Sequence, residues 1–100
     1  MARVLIIHTV DDYEAWKGVF DRAADIRREA GEQHFQVLRY EGDANRVVHF
    51  SKWESLANAK AFFESPRLVE IRRQAGVDEP EFIYLELLEE GHLEAPAKSG

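Results

Sequence analysis

Residues Arg46–Gly76 read RVVHFSKWESLANAKAFFESPRLVEIRRQAG, and this stretch decides the fold. Its first eight residues alternate. Val47, His49, Ser51 and Trp53 share one face of a strand, and Arg46, Val48, Phe50 and Lys52 the other. Ser55 suits a helix N-cap, and Leu56, Ala59, Phe62 and Phe63 follow at helical spacing. Ser65-Pro66 starts a second helix. Serine caps it, and proline is favoured at the first helical position because its missing N–H would be unpaired anyway. Gly76 closes that helix, where a left-handed residue is commonly needed.

The flanks extend the pattern. Val4 to Thr9 is a short run rich in β-branched residues and predicts a buried strand. Asp11 and Asp12 suit a helix start. Tyr13 to Ala30 predicts one helix, with Tyr13, Trp16, Phe20, Ala23 and Ile26 in one stripe and Gly31 as its stop. Phe35 to Tyr40 reads as a strand, and Gly42-Asp43-Ala44-Asn45 as the turn of a hairpin with the next. Val77 to Pro80 reads as a connector into a last strand over Glu81 to Leu88. Residues 1–90 then form one domain, and 91–100 a loose tail that could reach a partner. The order strand, helix, strand, strand, helices, strand is the split βαβ arrangement. The expected class is α+β and ferredoxin-like, with a four-stranded antiparallel sheet in the order four, one, three, two.

Two faces of that sheet are apolar. The unbroken rows Ile83, Leu85, Leu87 and Val48, Phe50, with Leu38 and Tyr40 beside them, are expected under the helices. The opposite face then carries Phe35, Val37, Arg39, Val47, His49, Ser51, Trp53, Phe82, Tyr84 and Glu86. The first strand is ambiguous; Leu5 and Ile7 toward the helices would send Val4, Ile6 and His8 to the other side. That second face is too apolar to stay wet and too polar for an ordinary core. The expectation is a homodimer whose sheets meet face to face, burying Val4, Ile6, Val37, Val47 and Phe82 around a half-polar chamber.

Composition excludes several classes. The net charge is −6, and acidic neighbours break up the pairs Arg27-Arg28 and Arg72-Arg73, so both read as solvated helix faces and no nucleic-acid partner is expected. There is no cysteine, hence no thiolate chemistry. MARVLIIH is too short for a signal peptide and no run approaches a membrane span, so a soluble cytoplasmic protein without a membrane partner is expected. Gly-rich phosphate loops, dinucleotide fingerprints and a nucleophile with its triad are missing. His8, His49 and Glu86 have the ligand types of a two-histidine, one-carboxylate metal site. Antiparallel pairing of the outer strands would set Glu86 opposite Val4 and His8 opposite Phe82, so the carboxylate falls at the wrong end and no metal is expected.

VVHFSKWES, an apolar helix, and then SPRLVEIRR resemble the antibiotic biosynthesis monooxygenase family of dimeric α/β-barrel proteins. The resemblance implies a dimeric barrel and chemistry without metal or flavin, so no cofactor. In the cofactor-free quinol monooxygenases of that family a cavity tryptophan sits just before the helix, and Trp53 matches it. An asparagine four residues earlier helps hold the substrate oxygens; His49 stands there. A helix arginine is implicated in catalysis, and Arg72 is its nearest match. A helix tyrosine has no counterpart, since Ala59 and Lys60 occupy that region. The haem-degrading branch is less similar, with His8, Phe62 and Arg72 where its asparagine, tryptophan and histidine would align.

Each candidate has a plain alternative. His49 could take a proton from a phenol, or be a satisfied strand histidine. Trp53 could stack on a planar substrate, or simply pack. Arg72 could stabilise an anion, and Tyr84 could donate to a substrate oxygen or anchor the sheet. Ser51, His8 and Arg39 are further candidates for substrate contact. The expected function is a cofactor-independent monooxygenase acting on a small aromatic phenol or quinol. A non-catalytic small-molecule-binding or stress-associated dimer, or an isomerase or cyclase, is the alternative.

Overall fold

The computed structural model describes residues 2–96, and of residues 77–79 the backbone alone. Strand β1 (Ala2–Val10) is followed by α1 (Tyr13–Arg22), α2 (Ala24–Ala30), β2 (Glu32–Arg39), β3 (Arg46–Trp53), α3 (Leu56–Phe63), α4 (Pro66–Gln74) and β4 (Val77–Glu86). The strands form one antiparallel sheet in the order β2-β3-β1-β4, the expected ferredoxin-like topology. Caps fall where the sequence puts them. The Asp12 side chain accepts from the Glu14 amide, Ser55 from Asn58 and Ser65 from Leu68. Gly76 has φ of 72°, the left-handed turn that ends α4.

Three boundaries differ from expectation. The single helix over residues 13–30 is two, broken at Ala23, whose ψ of 1° leaves the helical range. β4 begins at Val77, because the presumed connector already pairs with Val10. Its register is also shifted by two, with Glu86 opposite Ala2 and Phe82 opposite Ile6. Residues 87–96 carry no regular structure; Leu88 and Leu93 are exposed there, and 97–100, the end of the expected tail, lie outside the described residues.

The larger correction concerns the faces. The helices cover the row Val4, Ile6, His8, Val10 with Val47, His49, Ser51, Trp53, all of it buried. The rows expected beneath the helices, Leu5 and Ile7, Val48 and Phe50, Ile83 and Leu85, form the uncovered side, and Leu38 and Tyr40 are exposed there. Alternation specifies which residues share a face, but not which face the helices take. Two of the covered row's three polar members find partners inside, since the Trp53 indole donates to Ser51 Oγ at 2.8 Å and His49 meets Glu32, while His8 Nδ1 has none. Val4, Ile6, Val47 and Phe82 therefore pack under helices of their own chain and cannot form a sheet-to-sheet interface. No described helix is long and apolar enough to cross a membrane.

Candidate active site

Between the sheet and the helices lies a small cavity of about 60 Å³. Ile6 and His8 of β1, His49 of β3 and Phe82 of β4 form its floor. Trp16 and Phe20 of α1, Phe62 and Phe63 of α3, and Arg72 of α4 close it. The wall is a mixture of aromatic rings and aliphatic side chains such as Val19, Leu68 and Ile71. The Phe20 and His49 rings meet edge to face with centroids 4.9 Å apart, and His8 lies 5.4 Å from Trp16. In such surroundings each polar group has an outsized effect.

His49 is held by a buried pair, Arg27 on the cavity lining and Glu32 behind it. Its Nε2 lies 2.8 Å from Glu32 Oε2, and the Glu32 Oε1 accepts from Arg27 Nε at 2.6 Å. Arg27 also donates to the Phe20 carbonyl at 2.5 Å, and its guanidinium carbon stands 3.7 Å from the Phe20 ring centre. All three side chains are buried. Burial pushes the Glu32 carboxyl up, but the hydrogen bond and charge of His49, and then Arg27, outweigh it and hold its pKa below the ordinary value. Arg27 is thus buried, where a solvated helix residue was expected. The helical stripe does hold the signal for Arg27, since it lies seven residues after Phe20 and four after Ala23. Glu32 has no such signal. The pairing slips between Glu32 and His34, and that bulge sets Glu32 opposite Trp53 on the covered face, where plain alternation from Phe35 would place Gln33.

Arg72 reaches the cavity from α4. It donates to the Phe63 carbonyl at 2.9 Å and its guanidinium lies over the Phe82 ring, with no carboxylate within salt-bridge distance among the described residues. Burial lowers its pKa from the usual guanidinium value, and the Tyr84 hydroxyl acts against that. Arg73 beside it pairs with Glu70 in solvent, as expected. Tyr84 has its pKa raised by burial and by Glu64, with Arg72 opposing.

His8 is buried with its Nδ1 unpartnered. Desolvation, then the charges of His49 and Arg72, lowers its pKa to about 3, so near neutrality it is an uncharged hydrogen-bonding group on the cavity wall. The unfolded chain binds this proton near pH 6.5 and the folded one does not, so acid destabilises the fold from about pH 6.5 down to about pH 3. Between pH 7 and 5 this amounts to about 2 kcal/mol. His8→Phe is therefore expected to flatten urea-unfolding stability over that window, whereas the Glu32 contribution is lost only at pH below 4.5. A variant as acid-sensitive as the parent would show that His8 is protonated inside the fold.

Of the seven candidates from sequence, the cavity gathers His8, His49 and Arg72. Trp53 is fully buried behind Phe62 and Phe63, and Ser51 is occupied by the Trp53 indole. Tyr84 stacks beside Phe82 outside the wall, with the Lys60 ammonium 5.3 Å from its ring centre. Arg39 lies over the Tyr13 ring, exposed. The described residues hold no cluster of three metal-ligating side chains.

Residues 11–74 match the family model described as antibiotic biosynthesis monooxygenase. Among solved structures, the chain is similar to SnoaB, a cofactor-independent oxygenase from Streptomyces nogalater, at 15% identity and a TM-score of 0.74, over 89% of this chain and 94% of that one. It is similar to the monooxygenase ActVA-Orf6 of Streptomyces coelicolor in complex with nanaomycin D, at 18% identity and a TM-score of 0.67, over 93% and 92%. Rv0793 from Mycobacterium tuberculosis has 17% identity and a TM-score of 0.64, over 92% and 100%. At these identities the structures share the fold. No curated protein matches the chain.

Proposed function

Because this chain belongs to the antibiotic biosynthesis monooxygenase family, we propose that it is a cofactor-independent monooxygenase acting on a small planar phenol or hydroquinone. The observation that carries the reading is one cavity that brings together a histidine without a counter-charge problem and an arginine without a carboxylate: His49, backed by Glu32, and Arg72. The nanaomycin D bound in a protein of the same fold supports a small-molecule ligand here.

In this reading a phenol ring slides between Phe20, Phe63 and Phe82. His49 Nδ1 takes the phenolic proton, and Glu32 balances the imidazolium that forms. Arg72 and the neutral His8 receive the developing oxyanion. The electron-rich anion reacts with molecular oxygen directly. One oxygen atom enters the ring as a carbonyl and the other leaves as water, the substrate supplying the electrons. Ligand cavities usually span roughly 300–1,000 Å³. At about 60 Å³ this cavity is far smaller, so a substrate with fused rings needs the side chains around it to give way.

The test is oxygen uptake by metal-free protein across a panel of hydroquinones and anthrones. Turnover of any member, with quinone formed, supports the reading. Tight binding without oxygen consumption would instead make the protein a binder.

The same reading includes a cytoplasmic homodimer, now through the uncovered sheet face. Leu5, Ile7, Val48, Phe50 and Ile83 are only half-buried there, and Leu38 and Leu85 are exposed. Sedimentation at micromolar concentration should give a dimer that Val48→Lys with Phe50→Lys dissociates; a monomeric parent protein would end this part of the proposal.

A further inference from the structure

The buried Arg27–Glu32 pair behind His49 does more than supply a counter-charge. A buried ion pair is often worth no more to stability than apolar residues of the same volume. Its placement here is specific. Arg27 Nε donates to Glu32 Oε1, and Oε2 faces His49 Nε2. An ionised carboxylate can only accept hydrogen bonds. The His49 nitrogen that faces it must therefore donate.

We propose that Glu32, oriented by Arg27, is a positioning residue that keeps the His49 proton on Nε2 and so reserves Nδ1 as the proton acceptor in the cavity. This rests on the oxygenase reading for its purpose, but not for its test. The geometry is rigid at each step. Arg27 is pinned by the Phe20 carbonyl and ring, Glu32 by the β2 bulge, and His49 by ring contact with Phe20. Burial keeps water from offering His49 Nε2 another partner. A neutral imidazole has one donor and one acceptor, and which nitrogen is which follows from the bond made at the other. The low pKa of Glu32 keeps the carboxylate ionised at neutral pH, consistent with that role.

Glu32→Gln makes the proposal testable with little change in shape. Arg27 has only donors and will take the amide oxygen. The amide NH₂ then points at His49 Nε2, which must accept, and the ring proton moves to Nδ1. Nitrogen-15 spectra of histidine-labelled protein above pH 7.5 distinguish the two tautomers without any substrate. The expected result is Nε2–H in the parent protein and Nδ1–H in Glu32→Gln. Where the protein turns over, kcat should fall by roughly two orders of magnitude with KM little changed, because the acceptor nitrogen is blocked. A proton on Nδ1 in the parent protein overturns the proposal, and so does Nε2–H retained in the variant. The parent spectrum decides by itself if Glu32→Gln does not fold, and the tautomer result stands whether or not the protein is an oxygenase.

Discussion

Replacing His49 with alanine is expected to lower turnover of an accepted hydroquinone by roughly two orders of magnitude or more, with little change in KM. His49 is the one group on the cavity wall with a buried carboxylate behind it to balance a gained proton. Its removal deletes proton abstraction while leaving Arg72, His8 and the apolar wall to bind the ring. Glu32 keeps its bond to Arg27 in the variant, so the carboxylate is not left uncompensated. Single-turnover oxygen consumption measures the effect. Unchanged turnover would move the base to solvent, since His8, with its pKa near 3, holds little affinity for a proton.

The second large effect is on stability. Arg27→Met removes the cation from a buried pair and leaves the Glu32 carboxylate with His49 alone. Breaking a buried pair in this way costs about 3–5 kcal/mol, a large share of the roughly 5–15 kcal/mol that holds a small domain together. Urea unfolding at pH 7 should register it. The triple variant Arg27→Met, Glu32→Leu and His49→Phe should recover much of the loss, because apolar side chains need no partner, whereas Glu32→Leu with His49 kept would leave the His49 Nε2 buried without its acceptor. A loss below about 1 kcal/mol for Arg27→Met would mean that water reaches the carboxylate, as it does in an exposed pair.

How far the site was legible follows from where each residue sits. His49 and His8 were visible as polar interruptions in apolar strands, and Arg72 through its place in SPRLVEIRR. The cavity does gather those three. Trp53 carried the strongest family signal yet lies behind the wall, because a residue at the strand's end packs against the helix that follows it. Arg27 and Glu32 were not singled out. Charged residues are almost never fully buried unless paired, and the pair here depends on a one-residue bulge that no periodicity announces.

The sequence by itself determined the element order, the helix caps, the strand order β2-β3-β1-β4 and the residues that share each sheet face. These depend on local chemistry: capping oxygens, a proline at a helix start, turn residues, and the two-residue period of a strand. Tertiary structure alone decided which face the helices cover. Both rows are apolar, and an apolar row is equally suited to a helix or to another sheet. With the helices on this face His49, Ser51 and Glu32 are satisfied in the interior, by the His49–Glu32 contact between separate strands, by Arg27 and by the Trp53 indole. The same choice places His8, His49 and Arg72 around a cavity within one chain, where a chamber between two chains was expected.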